Sequence, residues 1–204
     1  MPVQVKSKVG IDVGLTTLLT LSNGTEIHPP KFLRASEDKL SRAQKNLSRK
    51  KKGSKNRKSQ VSIVAKTHRR IRNQRKDFAH KTSRMLVDTF DHIVFEKLHV
   101  QNMMKNHHLA KSISDAGWSQ LIALTKSKAE YAGKLVESVN PNGTSQTCIC
   151  GFSVPKDLSM RWHSCPACGL ESGRDHVSAI VIGNRGRITV PTDCGESTPV
   201  ESIA

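Results

Sequence analysis

The sequence has few aromatic residues, and it has no long hydrophobic run. Aromatic side chains make up 4% of its 204 residues, too few for stacking on single-stranded bases to be the main mode of binding. It has no run of roughly 18 apolar residues, which a membrane-spanning helix requires. The N-terminus also lacks the basic-then-apolar layout of a signal peptide. We therefore expect a soluble cytoplasmic protein with no membrane partner.

Acidic residues are also scarce, and this scarcity indicates a class of partner. The chain has 33 Lys and Arg residues against 17 Asp and Glu residues, giving a formal net charge of +16. Such an imbalance favours a polyanionic partner, with nucleic acid the first candidate and an anionic membrane the second. At this length the chain can bury one sizeable core and carry a small additional module.

Cysteine is absent from the first 147 residues and concentrated in the last third, at Cys148, Cys150, Cys165, Cys168 and Cys194. Two close pairs in a basic intracellular protein indicate a metal site before disulfides. The motif CPACG is a strong zinc-knuckle signal because two thiolates two residues apart can chelate one ion. The motif TCICG is a weaker signal because only one residue separates its cysteines.

The first half of the chain predicts an opening meander followed by a helical hairpin. Residues 9–27 alternate as strands around the turn Asn23-Gly24. Leucines at seven-residue spacing predict a helix after Pro30, the Gly53-Ser54 pair breaks it, and a second helix is expected from about Val61 to Thr89. Two helices joined by a basic turn predict an antiparallel hairpin over about residues 34–90.

The second half predicts shorter elements. HIVFEKLHV reads as a strand, residues 102–117 as an irregular loop, and KLVESVN as a further strand. Residues 116–132 predict a helix with Trp118 and Tyr131 available for its buried face. A last helix is expected from about residue 172, capped around Ser172, followed by a flexible tail over 186–204.

Three acids stand next to these predicted elements: Asp12 within the first strand, Glu96 at the end of a later strand and Asp175 at the start of the last helix. A lone carboxylate in a buried strand is unfavourable unless it is paired or binds a cation. Nucleases that use two divalent metal ions need several converging carboxylates. Taken singly, each acid could instead be a surface residue or a helix cap.

Several blocks of the sequence together carry a family resemblance. They are GIDVG, RASEDKLSRAQKNLSRKKKGSKNRK, NQRKDFAHKTSRMLVD, IVFEKLHVQNMMKNHHLAKSISDAGW, the two cysteine pairs and GRDHVSAI. In this order, over residues 8–183, they resemble the TnpB family of transposon-encoded proteins. This family is often described as OrfB-type transposases, and it is related to type V CRISPR effectors.

The resemblance implies an α/β fold with an RNase H-like (RuvC) mixed sheet, a basic helical hairpin and an inserted zinc ribbon. It implies a RuvC-like core over residues 1–143, a zinc ribbon over 144–171 and the last RuvC helix over 172–185. The implied activity is Mg²⁺-dependent DNA endonuclease action guided by RNA, in a prokaryotic, nucleoid-associated setting. The resemblance assigns Asp12, Glu96 and Asp175 as the metal-binding triad, with two Mg²⁺ ions.

The expected zinc ligands are Cys148, Cys150, Cys165 and Cys168. The family usually has two residues between the first pair, whereas this sequence has one. His163, two residues before Cys165, is therefore an alternative ligand, and free thiols are a further alternative. Cys194 lies outside the module and has no assigned role.

Basic residues cluster in the predicted hairpin. Neutralising phosphates with Lys and Arg releases counterions, so such a cluster can bind a nucleic-acid backbone strongly and in a salt-dependent way. A charge run can also be no more than a solvated face. The residues expected to bind nucleic acid are Arg49, Lys50, Lys51, Lys52, Lys55, Arg57, Lys58, Arg69, Arg70, Arg72, Arg75 and Arg174. Arg174 is expected at the scissile phosphate or, alternatively, in an ion pair with a neighbouring acid.

Two other functions stay open at this point. One is a non-catalytic, zinc-containing nucleic-acid-binding subunit or regulator derived from the nuclease. The other is a transposase that joins DNA strands itself, although no sequence feature requires strand transfer. Family members are longer, with an N-terminal part that binds guide RNA and recognises a DNA motif. We therefore expect the nuclease half of such a protein, with a separate recognition subunit or self-association as further partners.

Overall fold

A five-stranded mixed sheet forms the centre of the fold. The computed structural model describes residues 5–157 and 159–187. The strands are β1 (Lys8–Val13), β2 (Leu19–Leu21), β3 (Glu26–Ile27), β4 (His92–Glu96) and β5 (Leu135–Val139). They lie in the order β3-β2-β1-β4-β5. The first three form an antiparallel meander, and β1, β4 and β5 run parallel, which confirms the predicted mixed α/β class.

Helices α1 (Phe32–Ser48) and α2 (Lys55–Thr89) form the predicted hairpin. Gly53 adopts a left-handed conformation (φ 82°) between them. Ser54 then caps α2 by accepting a hydrogen bond from the backbone N–H of Arg57. The predicted start near Val61 was therefore six residues too late, because residues 55–58 of the charged run, which was read as a turn, form the first turn of the helix.

The prediction of an irregular loop over residues 102–117 was wrong. This segment contains α3 (Val100–Met103) and α4 (His107–Ala116). The Asn106 side chain accepts a hydrogen bond from the backbone of His108, and Gly117 ends α4 in a left-handed conformation. Helix α4 is short and mostly polar: Ile113 is its buried residue, and Ala116, three positions later, packs against the same core.

Helix α5 (Trp118–Tyr131) follows directly, beginning two residues later and ending one residue earlier than the predicted helix over 116–132. Trp118 is buried, but Tyr131 is 92% exposed, so the expectation that both face the core was wrong for Tyr131. Across the described ranges 5–157 and 159–187, no helix has the length and apolar character needed to cross a membrane.

The cysteine-rich segment contains a small antiparallel pair, β6 (Trp162–Ser164) and β7 (Glu171–Gly173). Helix α6 (Arg174–Arg185) begins where β7 ends. Its N-cap residue is Gly173 and no side chain caps it, so the predicted cap at Ser172 was wrong. The predicted flexible tail lies outside the described residues from position 188 onward.

The two faces of the sheet are covered differently. One face packs its apolar side chains, including Ile11 and Phe95, against α2, α4 and α5 in the main core. The other face, called here the α6 face, carries Gly10 and Val94, and Val94 packs with Ile182 of α6. A Cβ on Gly10 would lie 2.0 Å from the carbonyl oxygen of Ala179, so glycine allows α6 to lie directly against β1.

Candidate functional site

Asp12 and Glu96 lie at the carboxyl ends of neighbouring parallel strands. Ile11 of β1 pairs with Phe95 of β4, so the two acids follow directly on paired residues. Strands in a sheet are about 4.8 Å apart, and side chains alternate between faces. Asp12 is two residues past Gly10 and Glu96 two residues past Val94, so both acids belong to the α6 face.

Helix α6 brings Asp175 to the same face. The helix crosses the sheet from the β2 side, where His176 Nε2 is 3.2 Å from the carbonyl oxygen of Ser22. Near its other end, the backbone N–H of Arg187 donates to Glu137 of β5 at 2.9 Å. Asp175 is in the first turn of α6, one turn before the residue that contacts Gly10. The three predicted acids therefore converge, and we call them the carboxylate site.

The carboxylate site is electrostatically unfavourable without a cation. The pKa of Asp12 rises from 3.8 to about 7, first because the carboxyl is buried and then because Asp175 and Glu96 repel its negative charge. A hydrogen bond from the Val13 backbone and the charge of Arg174 oppose the rise only partly. Like charges that share a partly buried site disfavour ionisation, and a bound cation removes this penalty.

Glu96 is supported by two residues that sequence reasoning missed. Burial raises the pKa of Glu96, while a hydrogen bond from Thr144 and the charge of Arg185 lower it. The Thr144 hydroxyl donates to Glu96 Oε1 at 2.5 Å. Arg185 in turn donates to the carbonyl oxygens of Asn140 and Asn142, which hold the segment after β5 in place. Finding them requires the knowledge that β5 lies beside β4.

The carboxylates are spaced more widely than the cysteines. Within residues 5–157 and 159–187, the cysteines form the one group of three or more His, Cys, Asp or Glu residues whose ligand atoms all lie within 4.8 Å of one another. A site for two ions about 4 Å apart needs ligands distributed around both ions rather than around one point. An arrangement of three separate acids on one sheet face has the donor chemistry for hard divalent cations.

The four predicted cysteines come together in a cysteine cluster of Cys148, Cys150, Cys165 and Cys168. The Sγ atoms of Cys148 and Cys168 are 3.7 Å apart, as are those of Cys150 and Cys165. Zinc–sulfur bonds of about 2.3 Å in a tetrahedron place sulfur atoms about 3.8 Å apart. The cluster therefore has the dimensions that a zinc ion requires, and Cys150 belongs to it despite the short spacing of its motif.

Backbone amides prepare one of these thiols for binding. Although burial works in the opposite direction, hydrogen bonds from the N–H groups of Cys168 and Ala167 lower the pKa of Cys165 to about 7. A lower pKa favours the thiolate, which is the form that binds metal. The alternative ligand His163 is fully buried outside the cluster, and its Nδ1 contacts Lys156.

Most of the predicted nucleic-acid-binding residues are exposed on the hairpin. Helix α2 has 35 residues, which corresponds to a length of about 52 Å. A groove of about 820 Å³ beside it is lined by His68, Arg69 and Arg72 together with apolar side chains. The predicted nucleic-acid-binding cations that are exposed on the hairpin are Arg49, Lys50, Lys51, Lys52, Lys55, Lys58, Arg69, Arg70 and Arg72.

Three of the predicted cations have partners within the protein. Arg57 donates to the carbonyl oxygens of Leu47 and Lys50 and so caps the end of α1. Arg75 binds Asp115 at 2.6 Å. Arg174 donates to Asp175 at 3.3 Å and to the carbonyl oxygen of Met160 at 3.1 Å. A phosphate would have to compete with these contacts, most of all at Arg75.

Known proteins match the chain over most of its length. Residues 1–107 match the OrfB_IS605 family model, described as "Probable transposase", and residues 118–182 match the model of the Cas12f1-like TNB domain. The chain is 42% identical to a "Putative RNA-guided DNA endonuclease" of Streptomyces pristinaespiralis, over 82% of this chain and 42% of that protein. It is 33% identical to the "Putative RNA-guided DNA endonuclease InsQ" of Escherichia coli K12, over 93% of this chain and 51% of that protein.

The fold is similar to that of a solved structure described as a Cas12f1-sgRNA-target DNA complex. The TM-score is 0.61 at 16% sequence identity, over 87% of this chain and 50% of that chain. The chain spans about half the length of the curated relatives it matches, 42% and 51%. The family model covers more than half of the chain, so the chain belongs to the TnpB family of OrfB-type proteins.

Proposed function

We propose that this chain is the nuclease half of a TnpB-like, RNA-guided DNA endonuclease with a RuvC-type, RNase H-like core. The observation that carries this proposal is the convergence of Asp12, Glu96 and Asp175 on the α6 face, where burial and the charges of the other two acids raise the pKa of Asp12 to about 7. Carboxylates that repel one another in a structured site are typical of functional sites. The names of the relatives agree with this activity.

In this proposal Asp12, Glu96 and Asp175 hold two Mg²⁺ ions. When bound, the ions supply an activated water and stabilise the leaving oxygen in the hydrolysis of a phosphodiester. Glu96 is held in place by the Thr144 hydroxyl, which limits its movement as charge changes in the site. Arg174 is next to Asp175 and supplies a positive charge for a non-bridging oxygen of the scissile phosphate.

We also propose that the cysteine cluster holds zinc in a ribbon over residues 144–171, between a core over 1–143 and the final helix over 172–185. The distances of 3.7 Å between sulfur atoms support this assignment. Elemental analysis of the purified chain is expected to find about one zinc ion per chain. A Cys165→Ser variant with unchanged zinc content would contradict it.

The proposed partners are DNA and a guide RNA. The complex named for the similar structure contains both an RNA and a target DNA, and the net charge of +16 favours polyanions. The exposed cations of the hairpin and the groove beside α2 are the proposed backbone-binding surface. Binding through phosphates predicts a steep loss of affinity with added salt.

The deciding experiment is Mg²⁺-dependent cleavage of single- and double-stranded DNA, with and without RNA that co-purifies with the chain. Asp12→Ala is expected to abolish cleavage and to leave DNA binding largely intact. The matched control is Asp88→Ala, because Asp88 is an exposed acid paired with Arg84 on α2, and α2 packs on the other face of the sheet. Cleavage that survives in Asp12→Ala would overturn the assignment.

Two other outcomes would favour the other functions. Tight, salt-sensitive binding by a folded, zinc-containing chain that cuts no substrate would indicate a non-catalytic binding subunit. Joined products from transposon-end substrates would indicate strand transfer rather than hydrolysis. Hydrolysis products that depend on all three acids, with no joined products, would support the proposed nuclease.

A further inference from the structure

The cysteine-rich module exposes large apolar side chains. Trp162 is 61% exposed, and Met160 and Phe152 are 50% and 46% exposed. The other tryptophan, Trp118, is 2% exposed and donates a hydrogen bond to the carbonyl oxygen of Gly14. An exposed tryptophan beside further exposed apolar side chains indicates a contact surface rather than a structural role.

The residue paired with Trp162 on the neighbouring strand has no side chain that could cover the indole. Trp162 of β6 pairs with Gly173 of β7, so no side chain stands opposite the ring. A Cβ at Gly173 would find no atom within 4 Å. In antiparallel pairs, directly opposed side chains normally supply the main contact of a residue. Glycine at this position therefore leaves an aromatic face available to a ligand.

The module that carries the indole contains several cations. Arg161 precedes it on the same segment and is exposed. Arg174 donates its backbone N–H to the carbonyl oxygen of Arg161, and Lys156 is in the same module. Two acids of the module have hydrogen-bond donors: Asp157 accepts from the Ser159 backbone N–H, and Glu171, on the same hairpin face as Trp162, accepts from the Ser164 hydroxyl. An aromatic face among cations is the combination that binds a single nucleic-acid strand, through base stacking and phosphate contacts.

The indole also lies next to the carboxylate site along the chain. Its cross-strand partner Gly173 directly precedes Arg174, and Asp175 is the next residue. Opposed residues in an antiparallel pair have Cα atoms about 5 Å apart. A nucleic-acid strand with a phosphate at Asp175 therefore passes close to the segment that carries the ring.

We propose that Trp162 stacks on a base of the single strand that enters the carboxylate site. The inference rests on the proposed nuclease function, because that function places a strand at Asp175. Stacking tolerates any base, so the contact would hold the strand in place without reading its sequence. One stacked base is consistent with the low aromatic content, because backbone contacts remain the main source of affinity.

The test measures binding of labelled single strands of DNA and of RNA, in the absence of Mg²⁺, to the full chain. Trp162→Leu is expected to weaken binding about tenfold, whereas Trp162→Phe, which keeps an aromatic ring, is expected to bind nearly as well as the parent. The zinc content of each variant shows whether the module still folds. Whichever polymer responds to Trp162→Leu identifies the stacked strand.

A series of single abasic positions along the oligonucleotide then tests for a specific stacked base. One position is expected to weaken binding by the parent chain but not by Trp162→Leu, since both changes remove the same contact. Additive losses at every position would overturn the proposal. Loss of binding by Trp162→Phe equal to that of Trp162→Leu would do the same.

Tryptophan emission separates this proposal from the nuclease proposal and from other occupants. The difference between the parent and Trp162→Phe isolates the emission of Trp162, and bound strand is expected to quench it. Quenching of the Trp162 emission by bound strand, without any Mg²⁺-dependent cleavage, would support the stacking proposal and contradict the nuclease proposal. Emission that changes with protein concentration alone, and not with nucleic acid, would show that a second copy covers the ring.

Discussion

The charged groups on the two sides of the sheet are arranged in opposite ways. On the side of α2, α4 and α5, charged groups have partners: Arg75 binds Asp115 at 2.6 Å, and Lys128 donates to the Ser83 hydroxyl at 2.8 Å. On the α6 face, the charges that act most strongly on Asp12 belong to two other acids. Paired charges hold helices together, whereas acids that repel one another weaken the fold and are retained for binding.

The largest effect is expected from Gly10→Ala, which tests whether the α6 face depends on direct helix–strand contact. The new Cβ would lie 2.0 Å from the Ala179 carbonyl oxygen and 2.3 Å from the Gly183 amide nitrogen. Both are backbone atoms, so α6 must move and carry Asp175 with it. We expect a loss of more than about 4 kcal/mol in the free energy of unfolding, measured by denaturant unfolding, and a loss of cleavage.

Leu86→Ala is the matched control on the opposite side of the sheet. Leu86 is fully buried in the main core, and its truncation is expected to cost about 2–5 kcal/mol. At a temperature where this variant is folded, its cleavage per folded molecule should equal that of the parent. Normal cleavage by Gly10→Ala would show that α6 can move without disturbing the acids, which would remove the basis of the comparison.

Asp12→Asn measures the cost of ionising Asp12 in the carboxylate site, to which burial contributes most, followed by the charges of Asp175 and Glu96. The folded-state pKa of about 7 lies above the ordinary value of 3.8, so between about pH 4 and 7 the unfolded chain ionises first and the parent loses stability as pH rises. When Asp12 is fully ionised, this rise in pKa lowers the free energy of unfolding of the parent by up to about 4 kcal/mol. In chelator at pH 8, Asp12→Asn should therefore be more stable than the parent, and at pH 4 the two should be equal.

The same two proteins are then compared in the presence of Mg²⁺. Binding to the folded parent should raise its melting temperature at pH 8, while Asp12→Asn should respond much less. Equal stability of the two proteins at pH 8 in chelator would mean that neither burial nor the other acids penalise the Asp12 carboxylate in solution. The α6 face would then resemble the opposite side of the sheet.

Arg75→Ala is expected to affect folding, unlike the exposed cations of the hairpin. Its partner Asp115 has a side chain only 9% exposed, and the Leu33 backbone also donates to it. Removing Arg75, itself 24% exposed, leaves that carboxylate without its cation, and we expect a loss of about 2–4 kcal/mol in unfolding free energy.

Arg70→Ala is the control, since Arg70 is exposed on the same helix. It should change the free energy of unfolding by less than about 0.5 kcal/mol. It should also make the plot of the logarithm of the nucleic-acid binding constant against the logarithm of salt concentration less steep, by a slope of about one. Equal stabilities for Arg75→Ala and Arg70→Ala would contradict the distinction between paired and exposed cations.

The sequence was most informative where local signals and tertiary structure agree. The Asn23-Gly24 turn and the leucine spacing of the first helix predicted the meander and the hairpin. The acids Asp12 and Glu96 were found because a charged residue in an apolar strand demands a partner. The order of the strands, with β4 between β1 and β5, could not be read from local patterns and is a property of the whole sheet.

The failures have the same physical origin. Helix α4 was missed although its caps, Asn106 and Gly117, were visible and Ile113 and Ala116 lie at helical spacing, because the segment has only ten residues and most of them are polar. The choice between Cys150 and His163 stayed open because it depends on how the β6–β7 pair folds back on the TCICG turn. Thr144 was missed because its partner Glu96 is 48 residues away and adjacent only through β4–β5 pairing.

The smallest expected effect, from Thr144→Val, tests a neutral contact at the edge of the carboxylate site. The Thr144 hydroxyl lowers the pKa of Glu96, so its loss should raise that pKa and make Glu96 harder to ionise. Mg²⁺-dependent cleavage should then need a higher pH: activity should fall at the acid end of the pH profile and recover as the pH rises. Thr144→Ser, which keeps the hydroxyl, should follow the parent profile. If Thr144→Val instead loses the same fraction of cleavage activity at every pH, the residue only positions the segment after β5. The ionisation of Glu96 would then be set by burial and Arg185 alone.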